Sequence, residues 1–444
     1  MPRGASEIPI LRLEVLQDFI TRFKAAPNLM FTNLFPGTRN AESDTIKWES
    51  QRGGRGMVPF VPPGAPAPVS APHGVAQHQA TAAYWKEKRY FDEEFLNNLR
   101  KPGTESAYQS AADTLSDNLA DVVNRANRRK EWMFSNMFLN NGFSYQVKGG
   151  YTVGIDYGIP ADHRVALATA NYWDTGTTID ILGDIKAGKR KIAEANGGVV
   201  DIAICNSAVL DMIGKNAAIR SLLQTNAFHD GSLMAGPGID ALALVNAKVI
   251  GTLLDIKNFI IYDEMYEVKA EITGLVTGGS TTWIQVNDAS DFDAYQTLTV
   301  WDRSAADTYE KRDIVSVDKF TNRIQIDYPF TNSYVHGEDY VTMQRYYVPS
   351  DKFIMMSSSV EGTPISRYIQ APFGLGRHWG LYSDKKDEWD PEGTWIRVQD
   401  KGLPVLYHTD AIYTLDVTAT AGESATTTTT TTSTTSSTST TSST

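Results

Sequence analysis

The chain has little of what cross-links, anchors or exports a protein. Its 444 residues include one cysteine, Cys205, which excludes a disulfide within the chain and a metal cage of cysteines. A reducing compartment such as a cytoplasm fits this count. No apolar run reaches the roughly 20 residues of a membrane-spanning helix, so the sequence predicts no contact with a membrane. The N-terminus reaches the acidic Glu14 without an apolar core before it, which is not typical of a secretory signal.

Motifs for chemistry are also missing. There is no GxSxG, and the glycine-rich GGRGM and TGGST do not complete a phosphate-binding GxxxxGK[ST]. His73 and His78 lie near a Gly/Pro-rich segment, so solvated loop histidines are a better interpretation than a metal site. Cys205 ends an apolar run and is better explained as a buried hydrophobe than as a nucleophile. We therefore expect no catalytic residue, cofactor or metal; a hydrolase using His378 and a carboxylate such as Asp384 is the enzymatic alternative.

Positive charge is scarce overall. With 41 Lys and Arg against 52 Asp and Glu, the net charge is −11. This balance argues against a dedicated nucleic-acid-binding protein, but it does not exclude a place beside nucleic acid, which an acidic surface would keep from sticking to it. One basic group, at Arg125, Arg128, Arg129 and Lys130, allows three interpretations: a solvated helix face, a subunit contact or a patch facing nucleic acid.

A Gly/Pro-rich segment, QRGGRGMVPFVPPGAPAPVSAPHG, interrupts the globular pattern over Gln51–Gly74. Glycine and proline at this density exclude a helix interior or a central strand. The preceding Asp44–Ser50 alternates Ile and Trp with polar residues and predicts a strand, and Gln79–Phe91 is expected to return as an extended chain. The segment therefore predicts an arm that joins two strands as a long hairpin, with a plain surface loop as the alternative.

The clearest helix is predicted over Ser106–Asn140. Its apolar residues recur every three or four positions, and it contains neither Gly nor Pro. About 35 residues at 1.5 Å each span roughly 50 Å, enough for the backbone of a whole subunit. A second helical stripe covers Ile10–Ala26.

Helices and strands alternate from Tyr172 onward. A helical pattern ending at Gly197-Gly198 precedes a buried strand over Val199–Cys205, after which Asn206 or Ser207 could cap another helix. A further strand is predicted over Lys257–Tyr266. This order indicates a compact α/β domain.

Short runs in which apolar and polar residues alternate then dominate Glu267–Arg345. This block contains 13 Asp and Glu and only 7 Lys and Arg. Such runs, separated by turn residues, predict a small β-barrel or sandwich. Asp351–Ser359 resumes the earlier α/β pattern, which indicates that the β-rich block is inserted, and two more strands are predicted between Thr394 and Val417. The final Ser/Thr-rich stretch has no apolar residues to bury and predicts disorder.

The order of these parts resembles the major capsid protein of tailed bacteriophages, and in particular the lambda-like phage major capsid protein E family. The resemblance implies an α+β chain with the tailed-phage and herpesvirus type of major capsid fold: an N-terminal arm, an extended β-hairpin loop, a spine helix in a peripheral domain and an α/β axial domain, here with an inserted small β-barrel or sandwich. It implies the following division: 1–43, N-terminal arm with a short helix; 44–101, extended loop; 102–171, peripheral domain with the spine helix; 172–266, axial domain, first part; 267–345, inserted β-rich domain; 346–421, axial domain and peripheral return strands; 422–444, Ser/Thr tail.

A self-assembling shell protein is the function that this resemblance implies. Copies would form hexamers and pentamers of an icosahedral phage head around double-stranded DNA, with a separate scaffolding protein and a possible decoration protein as partners. The expected location is the virion, and the host cytoplasm during assembly. An encapsulin-like compartment shell is the alternative of the same fold. Candidate residues for contact between subunits lie in the extended loop. The apolar contacts would come from Met57, Val58, Phe60 and Val61. Arg52 and Arg55 could pair with an acidic patch on the neighbouring subunit.

Overall fold

A computed structural model of the chain describes residues 29–51, 75–92, 105–146, 152–225, 247–302, 309–389 and 392–419, except for residues 197, 290, 293, 295 and 336. It also describes residues 57, 60–62, 64 and 66. The helix expected over Ile10–Ala26 and the Ser/Thr tail lie outside these residues. No helix in the described ranges is long and apolar enough to cross a membrane.

Six α-helices occur in the described residues. They are α1 (Met30–Leu34), α2 (Glu105–Asn140), α3 (Ile181–Asn196), α4 (Ser207–Lys215), α5 (Ala217–Thr225) and α6 (Ala247–Leu253). The spine helix predicted from the sequence is confirmed as α2, and the capping residue of α4 is Asn206, whose side chain accepts a hydrogen bond from the backbone N–H of Ala208 at 3.0 Å.

Twenty-two β-strands occur in the described residues. They are β1 (Thr38–Asn40), β2 (Thr45–Gln51), β3 (Val75–Thr81), β4 (Ala83–Asp92), β5 (Gly142–Gln146), β6 (Thr152–Asp156), β7 (Arg164–Ala166), β8 (Ile202–Cys205), β9 (Asn258–Ile261), β10 (Met265–Glu271), β11 (Trp283–Gln285), β12 (Thr297–Trp301), β13 (Tyr309–Asp318), β14 (Arg323–Ile326), β15 (Tyr340–Tyr346), β16 (Lys352–Met356), β17 (Ser359–Val360), β18 (Thr363–Pro364), β19 (Ser366–Gln370), β20 (Tyr382–Trp389), β21 (Glu392–Leu406) and β22 (Ile412–Asp416).

The α/β part is built on a five-stranded sheet in the order β7-β22-β16-β8-β9. Its central strand β16 is antiparallel to both neighbours, whereas β8 and β9 run parallel. All four residues of β8 are buried, as expected for an apolar strand with no solvated face. Helices α3 and α4 pack on this sheet through Ile181, Ile185 and Val209.

The spine helix α2 packs its C-terminal half into the largest core. Met133, Phe134, Met137 and Phe138 are almost completely buried there. The helix ends where Asn141 adopts a left-handed backbone conformation with φ 59°, which asparagine tolerates better than most residues. A side chain at the next position, Gly142, would collide with the backbone of β6, so the turn requires glycine.

A long strand, β21, organises the sheet beside the spine helix. Residues 393–399 of β21 pair with both β20 and β4, and the C-terminal end of β21 pairs with β19. Strand β1 adds to β19 in parallel. The sequence predicted β21 and β22, but it did not predict β1, β19 or β20.

The block between β9 and β16 forms a closed β-barrel with its own core. Its strands follow the order β10-β15-β12-β13-β14-β11, and the two end strands are joined by a bridge between Ile272 and Val286. Two backbone hydrogen bonds flank the bridge, from Thr273 N to Gln285 O at 2.8 Å and from Asn287 N to Glu271 O at 2.9 Å. The short alternating runs predicted as strands are confirmed, and of the two alternatives the barrel is the one found.

The strand expected over Lys257–Tyr266 is wrong as a single element. Strand β9 ends at Ile261, and β10 begins at Met265 in the barrel. Between them, Asp263 accepts a hydrogen bond from the N–H of Ser207 at 2.8 Å, and Glu264 O accepts one from the N–H of Tyr347 at 3.1 Å. These contacts turn the chain out of the central sheet and into the barrel.

Candidate intersubunit contact site

The arm begins from a two-stranded hairpin. Strands β2 and β3 are antiparallel, with Thr45 opposite Thr81 and Gln51 opposite Val75. The predicted hairpin is therefore confirmed, but its second strand is β3, which begins at Val75, before the Gln79–Phe91 stretch that was expected to form it. Most of the Gln79–Phe91 stretch forms β4, which pairs with β21 instead, because the chain leaves the hairpin at the buried Ala82.

One face of this hairpin is fixed to the body of the subunit. Ile46, Trp48 and Ala80 are buried, and the Trp48 ring lies 5.9 Å from that of Tyr157. Trp48 also stacks on His78 with centroids 5.3 Å apart, while His78 Nε2 and Ser50 Oγ are 2.8 Å apart and hydrogen bonded. A well-packed base thus supports an arm of about 23 residues, 52–74, that has no pattern of a core of its own.

Three of the predicted contact residues are exposed where the arm is described. Met57 is 93% exposed, Phe60 is 106% exposed and Val61 is 40% exposed. The other three, Arg52, Arg55 and Val58, lie outside the described residues. Large apolar side chains at this exposure gain little from the fold of one subunit.

A groove of about 1010 Å³ lies beside the hairpin base. Its lining residues include Arg39, Lys47, Glu49, Glu361 and His408. Burial lowers the pKa of His408, so its imidazole favours the neutral form. The groove is polar, with charges of both signs, and no sequence pattern predicted it because its walls come from distant parts of the chain.

The N-terminal segment is fixed to the spine helix by a buried carboxylate. Glu131 Oε1 accepts hydrogen bonds from Phe31 N at 2.7 Å and from the Tyr262 hydroxyl at 2.8 Å. Its Oε2 accepts from the N–H and the hydroxyl of Thr32, at 2.8 and 2.7 Å. Glu131 thereby satisfies backbone groups in the first turn of α1, which has no side-chain cap of its own.

Burial raises the pKa of the Glu131 carboxyl, although the hydrogen bonds from Thr32, Phe31 and Tyr262 act in the opposite direction. Sequence reasoning missed this residue. The signal was present: a single acidic residue stands directly before the apolar Trp132, Met133 and Phe134, on the part of the helix that enters the core.

The basic group on the spine helix is engaged within the subunit. Arg125 pairs with Glu87 at 2.9 Å, Arg129 with Asp291 of the barrel at 2.7 Å, and Lys130 with the fully buried Asp400 at 2.6 Å. Of these three side chains, Lys130 is the one held by a fully buried partner, whereas Arg125 and Arg129 stay partly exposed. The acidic partners lie on other elements, which spacing along one helix does not reveal.

Nothing in the described residues assembles into a catalytic centre. Both carboxylate oxygens of Asp384 bind Arg397, and His378 stacks on Tyr382 with ring centroids 3.9 Å apart. Cys205 is completely buried, and burial raises the pKa of its thiol. No group of three or more His, Cys, Asp or Glu in the described ranges could hold a metal ion.

Comparison with known proteins gives one family. The family model of phage major capsid protein E matches residues 12–290, which is more than half of the chain. No curated protein matches the sequence.

Solved structures resemble the chain at low sequence identity, and the first of them shares its fold. A prophage capsid protein from E. coli CFT073 is 13% identical, with 91% of this chain and 98% of that chain covered and a TM-score of 0.51. A phage-related protein from Bordetella bronchiseptica RB50 is 10% identical, with coverages of 92% and 98% and a TM-score of 0.46. An encapsulin from Synechococcus elongatus is 7% identical, with both coverages at 89% and a TM-score of 0.38.

Proposed function

The chain belongs to the phage major capsid protein E family, and from this premise we propose how its copies join into a shell. Members of the family are structural proteins of the virion that assemble with themselves, and this chain is a capsid shell protein and not an enzyme. The finer proposal is that its copies form hexamers and pentamers of an icosahedral head that encloses double-stranded DNA.

The arm is the element that we assign to contact between subunits. The observation that carries this assignment is the exposure of Met57 and Phe60 beside a hairpin base that is firmly packed. Each of these side chains, with Val58 and Val61, would contribute about 1–3 kcal/mol if a neighbour buried it completely. Arg52 and Arg55 would pair with acidic side chains on that neighbour.

A separate scaffolding protein is part of this proposal, as the resemblance to phage capsid proteins implies. The net charge of −11 supports enclosure of DNA without tight binding, because an acidic wall repels the phosphate backbone. A decoration protein on the outer surface remains part of the proposal, and assembly is placed in the host cytoplasm.

Electron microscopy of the expressed protein tests this function. The protein is produced alone and together with the neighbouring genes of its phage, and particles are examined by negative stain. We expect closed shells of uniform diameter in at least one of the two preparations. A stable monomer at every concentration in both preparations would contradict the proposal.

A further inference from the structure

A second cleft lies between the spine helix, β4, β5 and the barrel. Its inner part, which we call the aromatic cleft, is a cavity of about 220 Å³. The aromatic side chains that line it are Tyr84, Trp85, Trp132, Phe143 and Tyr145. A larger polar cavity of about 520 Å³ shares Trp85 and Trp132 with it. The aromatic cleft is therefore continuous with a more polar cavity.

We propose that the aromatic cleft of one subunit binds the proline-rich tip of the arm of a second copy. This inference rests on the proposed function, in which the arm joins neighbouring subunits. It adds the receiving surface and the mode of recognition, which is the binding of an extended proline-rich segment by an aromatic groove.

The aromatic walls are held in place before any partner arrives. Trp132 and Phe143 meet at 65° with centroids 5.5 Å apart, and Tyr145 lies 5.9 Å from Phe143. Arg129 lies 5.0 Å from the Trp132 ring centre while its guanidinium pairs with Asp291. Rigid rings lower the ordering cost that a binding partner must offset.

One polar group of the cleft lacks an acceptor. The Nε1–H of Trp85 is buried and has no hydrogen-bond partner among the residues that the structure describes. The two tyrosine hydroxyls of the cleft are used within the subunit, since Tyr84 donates to Gln399 at 2.7 Å and Tyr145 donates to the carbonyl of Thr81. A backbone carbonyl of a bound segment would satisfy the indole N–H, as buried polar groups require.

The arm has the matching sequence. Residues 59–68 read PFVPPGAPAP and contain the PxxP spacing at Pro59–Pro62 and again at Pro63–Pro66. Proline-rich segments favour the polyproline II conformation, which presents carbonyl groups and has few N–H groups of its own. Phe60 and Val61 supply apolar side chains between these prolines.

Charge at the cleft agrees with this occupant. Among the residues that line the aromatic cleft, Asp288 and Asp291 carry two negative charges and Arg129 one positive charge, which leaves one negative charge. Arg52 and Arg55 precede the proline-rich segment and have the complementary sign. The cleft of the same subunit is not the binding site in the structure described, because Phe60 of its own arm is 106% exposed.

Disulfide trapping tests the inference. One chain carries Phe60→Cys, a second carries Tyr84→Cys in the cleft, and the two are mixed before assembly. If Tyr84→Cys melts at a lower temperature than the wild-type protein, Lys86→Cys is used in its place. The native Cys205 is fully buried and does not compete. Under mild oxidation we expect covalent dimers in assembled shells and none in unassembled subunits.

The control pairs Phe60→Cys with Trp389→Cys, another fully exposed apolar position, 93% exposed and distant in sequence. We expect no dimer from this pair. Trp85→Phe, which keeps an aromatic ring but removes the N–H donor, should slow trapping by Phe60→Cys and Tyr84→Cys about tenfold, the effect of one lost hydrogen bond.

The outcomes separate the two proposals. Shells that form without cross-linked dimers overturn the aromatic cleft as the receiving site. The same conclusion follows if a chain that carries both cysteines forms cross-links only within itself. If shells also require the arm, the proposed function stands without the cleft. If shells form equally well without the arm, both are overturned.

Discussion

The hydroxyl of Tyr262 donates a 2.8 Å hydrogen bond to the buried carboxylate of Glu131. Tyr262 directly follows the edge strand β9 of the central sheet, and Glu131 stands on the spine helix that crosses the largest core. The same carboxylate accepts hydrogen bonds from Phe31 and Thr32. One side chain therefore joins the N-terminal segment, the spine helix and the α/β part of the subunit.

Removal of this carboxylate should loosen all three parts. Glu131→Ala leaves four buried or half-buried donors without an acceptor, and we expect it to lower the free energy of unfolding by about 3 kcal/mol or more. Glu131→Gln keeps one oxygen but presents an NH₂ group to the donors of Thr32, and should cost about 1–3 kcal/mol. Chemical denaturation of unassembled subunits measures both. Wild-type stability in Glu131→Ala would contradict the role given to Glu131.

The pH dependence of this effect has a definite sign. Because burial raises the pKa of Glu131 in the folded state above its ordinary value, the stability linked to its protonation is fully present below the unfolded pKa. That stability is lost as the pH rises through the folded pKa. The difference in melting temperature between the wild-type protein and Glu131→Gln should thus be at least as large at pH 5 as at pH 7. A smaller difference at pH 5 would indicate a lowered pKa instead.

The barrel should be removable. Met265 and Tyr346 are paired residues at its two ends, so a short Gly/Ser linker between Glu264 and Tyr347 can replace it. Because the barrel has a separate core, we expect the remaining chain to keep its circular dichroism and to melt cooperatively. The variant loses the Arg129–Asp291 ion pair, which is partly exposed and of small energetic value. Global unfolding of the variant would show that the barrel is needed for the rest of the fold.

The ion pair of Lys130 and Asp400 should be sensitive to the loss of one partner. Asp400 is completely buried and lies 2.6 Å from Lys130 Nζ. Asp400→Ala leaves the ammonium group without its anion in a poorly solvated place, and we expect a loss of roughly 3–5 kcal/mol in denaturation experiments. The double variant Lys130→Met with Asp400→Leu should recover most of this loss.

The exposed pair of Lys191 and Asp162 is the matched control for that experiment. Asp162→Ala should leave the melting temperature nearly unchanged, because an exposed ion pair is screened by solvent. Equal effects of Asp162→Ala and Asp400→Ala would mean that burial does not determine the strength of these pairs.

Local patterns predicted many of the elements. The spine helix follows from apolar spacing over Ser106–Asn140, and the barrel strands follow from period-two alternation, because one face of each strand meets a core. The arm follows from glycine and proline, which exclude regular structure. The order of these parts was enough to suggest the capsid family before any comparison.

Long-range relationships could not be predicted in the same way. The pairing of β4 with β21 joins residues about 310 positions apart, and neither strand carries a signal for its partner. The basic group on α2 was open to three interpretations because Glu87, Asp291 and Asp400 lie on three other elements. The aromatic cleft likewise exists only once β4, the spine helix and the barrel have met.

Deletion of Gly53–Pro72 tests the central claim most directly. The base of the hairpin remains, with the stacked Trp48 and His78, so the subunit should keep its circular dichroism and its melting temperature. Particles are then counted by electron microscopy under conditions in which the wild-type protein forms shells. We predict folded subunits that form no shells, or shells that fall apart on dilution. Shells of unchanged yield and thermal stability would show that the arm is only a surface loop and would contradict the account.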